Sequence, residues 1–122
     1  MTKILIVDDS PTEVYKFRLM LEEHGFEVLE ANTGVEGVAL VKELNPDVVL
    51  MDVVMPGLNG FQATRQITKN EATKHIPVII VTTKDQETDR VWGQRQGAYS
   101  YLTKPVEENE LVSVIESALT QS

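Results

Sequence analysis

The chain has 122 residues, the length of one domain rather than two, and its 42% hydrophobic and 25% charged residues are the balance of a globular protein in water. It has no cysteine, which excludes disulfides and thiolate metal sites and fits a reducing compartment. A formal net charge of −8 opposes binding to nucleic-acid phosphates and to anionic membranes, and for the most part serves solubility.

The first apolar run, Ile4–Val7, is followed at once by Asp8 and Asp9. Four residues are too few for a signal-peptide core or a membrane span, so a cytoplasmic protein without membrane insertion is expected. Ser10-Pro11-Thr12-Glu13 places a cap residue, a first-turn proline and a Glu in the order of a capping box. Val14, Phe17 and Leu21, with Leu19 and Met20 beside them, continue as a helix that ends at His24-Gly25. Val28–Leu29 is a weak second strand. Thr33-Gly34-Val35-Glu36 opens a second helix with Val38, Val41 and Leu44 on one face, stopped by Asn45-Pro46. Val48–Met51 is the third strand, and Phe61, Thr64, Ile67 and Thr68 mark a weaker third helix. Val78–Val81 is the fourth strand, and residues 84–96 form a fourth helix with Val91 and Trp92 as its few apolar anchors. Trp92 reads as core in preference to a partner anchor. Tyr99–Leu102, more polar, suits an edge strand. Residues 107–119 close the chain as a fifth helix with Leu111, Val112, Ile115 and Leu119 inward.

The first, third and fourth runs are nearly all Val, Ile and Leu, as in strands buried on both faces of a parallel sheet. Five strand–helix repeats joined by right-handed crossovers predict an α/β fold with helices on both sides of that sheet. Residues 1–122 are expected to form a single domain, with no linker and no room for a DNA-binding or enzymatic output module.

Ligands of open parallel sheets bind beyond the carboxyl ends of the strands. Those ends carry Asp8 and Asp9, Asp52, Thr82 and Thr83, and Lys104 and Pro105. One Asp there would read as a helix cap, but the whole set at successive strand ends does not. Crowded carboxylates stay ionised only around a cation, and oxygen ligands in an open, hydrated site favour Mg²⁺. Without Cys, and with neither His24 nor His75 at this edge, zinc is disfavoured. Asp52 is then a carboxylate nucleophile able to form an aspartyl-phosphate. Asp8 or Asp9 would hold the Mg²⁺, Lys104 would act on a phosphoryl oxygen as a point charge, and the Thr82 hydroxyl would donate to another.

These pieces in order, Ile-Leu-Ile-Val-Asp8-Asp9-Ser, Leu50-Met-Asp52-Val-Val-Met-Pro56, Gly60, Val81-Thr82-Thr83 and Lys104-Pro105, resemble the receiver domains of two-component response regulators over the length of the chain. The resemblance implies a flavodoxin-like, doubly wound five-stranded sheet in the order 2-1-3-4-5 with five helices. It implies Asp52 as phosphoacceptor from a phosphohistidine on a CheA-like sensor histidine kinase, and a domain that assists its own phosphorylation and slow dephosphorylation without being an enzyme in the ordinary sense. Asp9 and Asp52 would ligate Mg²⁺, with Asp8 reaching it partly through water and Val54 giving its backbone carbonyl. The Lys104-Pro105 bond would be cis. Thr82 and Tyr101 would be switch residues, acting on a surface of the fourth helix, fifth strand and fifth helix, although Tyr101 also reads as plain edge-strand packing. Val54 and Lys84 sit where the family tunes phosphoryl lifetime.

Residues 8–16, 55–66 and 81–98 are similar to the PilH-type single-domain regulators, which act in chemosensory control of type IV pili and twitching motility. That implies a downstream protein target such as a pilus motor or a sister regulator, and a monomer or a weak dimer on phosphorylation. A phosphate sink for the sister regulator is the alternative role. A Mg²⁺-dependent aspartyl-phosphate phosphatase would need a second carboxylate where Val54 stands. A flavin phosphate would be repelled by Asp8 and Asp9.

Overall fold

Alternation along β1 (Lys3–Val7) is hidden in the sequence because both faces of the strand are apolar. Ile4 and Ile6 point into one cluster, shared with Leu50, Ile79 and Leu111, while Leu5 and Val7 point into the other, shared with Val41, Met51 and Ile67. The same division holds for β3 (Val48–Met51); in β4 (Val78–Thr82) Ile79 and Val81 join the first cluster, Val78 the second and Ile80 a third, and the residues of both strands are all buried. β2 (Glu27–Ala31) and β5 (Ser100–Thr103) flank them in a parallel sheet of order β2-β1-β3-β4-β5. The flavodoxin-like order and the edge position of β5 are as expected. The computed structural model describes residues 1–120, and these contain the five strands and five helices anticipated.

α1 (Pro11–Glu23) and α5 (Glu108–Leu119) cover one face through Val14, Phe17, Leu21, Leu111 and Ile115. α2 (Gly34–Leu44) and α3 (Gly60–Thr68) cover the other through Val38, Val41, Ala63 and Ile67. α4 (Glu87–Arg95) sits over a much smaller cluster of Val53, Phe61 and Ile80. Among the described residues no helix is long and apolar enough to cross a membrane.

Several side chains expected inside lie outside. Trp92 is 49% exposed and Val91 39%, so the only buried residue of α4 is Gly93. The helix turns its glycine to the sheet because the Tyr101 ring and Ile80 occupy the space a larger side chain would need. Leu19, Leu44 and Leu119 are also exposed, Leu19 on the outer side of α1 and the other two as the last residues of their helices. The capping box of α1 is half formed. Ser10 Oγ accepts from the Glu13 amide at 3.4 Å, but the Glu13 carboxylate turns to Lys104 and Lys16. α3 has the complete box instead, with Asn59 and Gln62 exchanging hydrogen bonds at 2.9 and 3.0 Å. Gly60 begins α3 hard against the β3 end, where a Cβ would collide with the Asp52 carbonyl and the Val53 backbone.

The contrast between sheet and fourth helix is measurable. Ile79→Ala, at a fully buried site in the larger cluster, is expected to cost about 2–5 kcal/mol, read as a lower urea midpoint at unchanged slope. Trp92→Ala should stay within about 0.5 kcal/mol of the parent protein.

Candidate functional site

The carboxyl ends of β1, β3, β4 and β5 bring the predicted residues together because parallel strands all end at one edge of the sheet: Asp8 follows β1, Asp52 follows β3, Thr82 ends β4 and Lys104 follows β5. Asp8 follows β1 and is held there by its amide to the Ala31 carbonyl at 3.1 Å. Its Oδ1 accepts from the Ser10 amide at 2.9 Å, which turns the chain into α1. Asp52 follows β3, its amide donating to the Val7 carbonyl at 2.9 Å and its Oδ1 accepting from the Val53 amide at 2.7 Å. Carboxylate oxygens of Asp8, Asp9 and Asp52 lie within 4.8 Å of one another, with Asp8 and Asp52 buried and Asp9 exposed. This is a hard, oxygen-only donor set with one open side, and it fits a metal ion of the magnesium or calcium type.

Lys104 reaches the same point from the opposite edge. Its Nζ is 2.9 Å from Asp8 Oδ2, 3.4 Å from Glu13 and 3.7 Å from Asp52 Oδ2, and 5.9 Å from the centroid of the Phe17 ring. The bond to Pro105 is cis, as the resemblance implied. Thr82, fully buried, is the last residue of β4 rather than the first of a loop. It pairs in register with Thr103, and its carbonyl accepts from the Lys104 amide at 2.8 Å.

Burial pushes the Asp52 carboxyl above its ordinary range. The nearby Lys104 charge pulls it back, the Asp8 charge adds to the rise, and the Val53 amide and Thr82 hydroxyl oppose it. Burial by itself would lower the Lys104 ammonium. Its hydrogen bond to Asp8 and the charges of Asp52, Asp8 and Glu13 outweigh that and raise it. The lysine therefore stays charged while burial holds the Asp52 carboxyl beside it above its ordinary range.

Two expected residues stand apart from this cluster. Val54 is 56% exposed on the rim, its side chain free in solvent. Tyr101 lies on β5, half-buried, with its hydroxyl donating to the Lys84 carbonyl at 2.8 Å rather than to the acidic site. His24 caps α1 and lies 3.5 Å from Glu108, away from the cluster, and His75 is exposed in the loop before β4. Sequence reasoning missed Glu13 as a partner of Lys104. The capping pattern explained Glu13 locally, and nothing in the sequence indicates that α1 starts beside the β5 end.

The response regulator receiver domain model matches residues 4–116, and the chain belongs to that family. It is 67% identical to the protein PilH of Pseudomonas aeruginosa over 119 residues, covering 98% of each chain. It is 34% identical to the DNA-binding dual master transcriptional regulator RpaA of Synechocystis, of which it spans about half, 51%. Among solved structures it resembles the receiver domain of the sensor histidine kinase PA1611 of P. aeruginosa, which has a magnesium ion coordinated in its active-site cleft. That match has a TM-score of 0.91, 29% identity and 98% coverage of both chains.

The raised Asp52 carboxyl has a consequence for stability. A group whose folded pKa exceeds its unfolded value favours folding below the unfolded pKa, and that contribution is lost as pH rises through the folded pKa. In metal-free buffer, Asp52→Asn is therefore expected to be more stable than the parent protein at pH 7. The gap should shrink as pH falls toward the ordinary carboxylate pKa of about 3.9, as followed by urea unfolding in EDTA.

Proposed function

We propose that Asp52 accepts a phosphoryl group from a phosphohistidine of a sensor histidine kinase, and that the response alters a protein–protein contact surface on α4, β5 and α5. The observation that carries this reading is the cluster of three carboxylates within 4.8 Å with the Lys104 ammonium 2.9 Å from Asp8 and 3.7 Å from Asp52. In the transfer, an Asp52 carboxylate oxygen forms the new bond to phosphorus. The phosphorus–nitrogen bond of the donor breaks, and the imidazole leaves with the electron pair. Lys104 orients one phosphoryl oxygen and offsets its charge, and the Thr82 hydroxyl donates to another. Asp8, Asp9, Asp52 and the Val54 carbonyl would hold Mg²⁺, which when bound supplies charge neutralisation for the phosphoryl oxygens. Val53, next to Asp52, packs with Phe61 and Ile80 in a small apolar cluster.

The domain would carry its own phosphorylation and slow dephosphorylation rather than turn over a substrate. Rim residue 54 is Val, with no group able to orient an attacking water. Similarity to PilH along nearly its whole length supports a receiver domain working in the cytoplasm in control of type IV pili, with a CheA-like kinase upstream and a motor or sister regulator downstream.

Incubation with Mg²⁺ and acetyl phosphate is expected to add one phosphoryl group by intact mass, and to add none to Asp52→Asn or in EDTA. Absence of the adduct with both acetyl phosphate and a kinase would overturn the reading. Val54→Asn, which gives the rim an amide able to hold water, should shorten the phosphoryl lifetime several-fold in a decay assay. An unchanged lifetime would remove Val54 from that role.

A further inference from the structure

The first turn of α1 and the Lys104 ammonium belong to one closed ring of contacts. Asp8 Oδ1 accepts from the Ser10 amide at 2.9 Å, and Ser10 Oγ accepts from the Glu13 amide at 3.4 Å. A Glu at this position of a helix ordinarily reaches back to the amide of the cap residue. Here Asp8 has taken that amide, and Glu13 turns instead to two lysines, one oxygen on each. Its Oε1 lies 3.4 Å from Lys104 Nζ and its Oε2 3.7 Å from Lys16 Nζ. Lys104 closes the ring by donating to Asp8 Oδ2 at 2.9 Å. Phe17, one turn after Glu13, places its ring centroid 5.9 Å from the same Nζ. The helix therefore meets the ammonium at two successive positions of one face.

An ammonium has three N–H donors, and Asp8, Glu13 and Asp52 each present a carboxylate oxygen within 3.7 Å of this one. A phosphoryl oxygen that binds Lys104 takes the place of one of them. Asp8 is the nearest partner and its side chain is 3% exposed. Asp52, 10% exposed, carries the phosphoryl group itself. Glu13 is 25% exposed and has Lys16 as a second partner, so it loses least on letting go. We propose that Glu13 is a positioning residue that holds Lys104 toward α1 and brakes phosphoryl uptake, because its ion pair must open before the ammonium is free for the incoming group. The proposal rests on the phosphoryl-acceptor function given above. With acetyl phosphate as donor, an Asp52 oxygen bonds to phosphorus, the bond from phosphorus to the acetate oxygen breaks, and acetate leaves with the electron pair. Glu13 takes no part in that exchange and acts through Lys104.

The test compares Glu13→Gln, Glu13→Asp and Lys16→Ala with the parent protein in the full chain. Two rates are read. One is acetylation of Lys104 by acetic anhydride in EDTA, measured by peptide mass relative to Lys3 of the same molecules. The other is phosphoryl uptake from acetyl phosphate with Mg²⁺. Glu13→Gln, which keeps the length but not the charge, is expected to raise both rates about 2- to 5-fold, the range of a partly exposed ion pair. Glu13→Asp keeps the charge but is one methylene shorter, and should also exceed the parent in both. Lys16→Ala leaves Glu13 wholly to Lys104 and should slow both. Parent-like labelling or uptake in Glu13→Gln would overturn the proposal. Parent-like rates in Glu13→Asp would overturn it too, because the charge of residue 13 would then act at a distance and not by holding Lys104. If the parent protein takes up no phosphoryl group, the acceptor reading fails, and labelling by itself decides the hold: faster labelling in Glu13→Gln supports it and parent-like labelling overturns it. If Glu13→Gln loses its urea transition, Lys16→Ala decides: slower labelling and uptake than the parent support the brake, and parent-like values overturn it.

Discussion

The Lys104 ammonium is the point on which the upper edge of the molecule depends. It is almost wholly enclosed, 9% exposed, yet it faces Asp8, Asp52 and Glu13 within 3.7 Å. Charges in such a place are costly unless they meet opposite charges and hydrogen-bond partners. These partners come from three separate parts of the chain, the end of β1, the end of β3 and the first turn of α1. Strands with two apolar faces can place charged residues only at their ends, so the sheet itself delivers the acids and the lysine to one another.

The balance is incomplete. One ammonium cannot neutralise three neighbouring aspartates and Glu13, and burial keeps Asp52 above the ordinary carboxylate range. This stored repulsion gives the site its chemistry. A cation among the carboxylates would relieve it. Family membership and the donor set agree on that use of the site. Gly60 contributes in a different way, since its lack of a side chain lets α3 begin hard against the Asp52 carbonyl.

Flexibility is distributed as unevenly as charge. Four helices bury three or more residues each, whereas α4 buries only a glycine. A helix so weakly anchored is held by surface contacts, and those contacts lead back through Tyr101 and Lys84 to Thr82. The least-packed element is therefore directly linked to the chemical centre. The exposed face of this helix carries Trp92 and Val91.

The sequence by itself determined the strand–helix alternation, the two-sided burial of β1, β3 and β4, and the gathering of Asp8, Asp9, Asp52, Thr82 and Lys104 at one edge. Each of these follows from local runs and from the rule that parallel strands all point the same way. Helix faces with mixed or sparse apolar residues were less legible. Val91 and Trp92 were the natural anchors of α4 by hydrophobicity, yet Gly93 faces the sheet because Tyr101, eight residues on, takes the space. The pairing of Glu13 with Lys104 and the bonds from Arg90 to Tyr101 and Thr103 were likewise decided only in three dimensions. They join residues distant in the chain, and no local spacing records which side chains the closing of the sheet will bring within a hydrogen bond of each other.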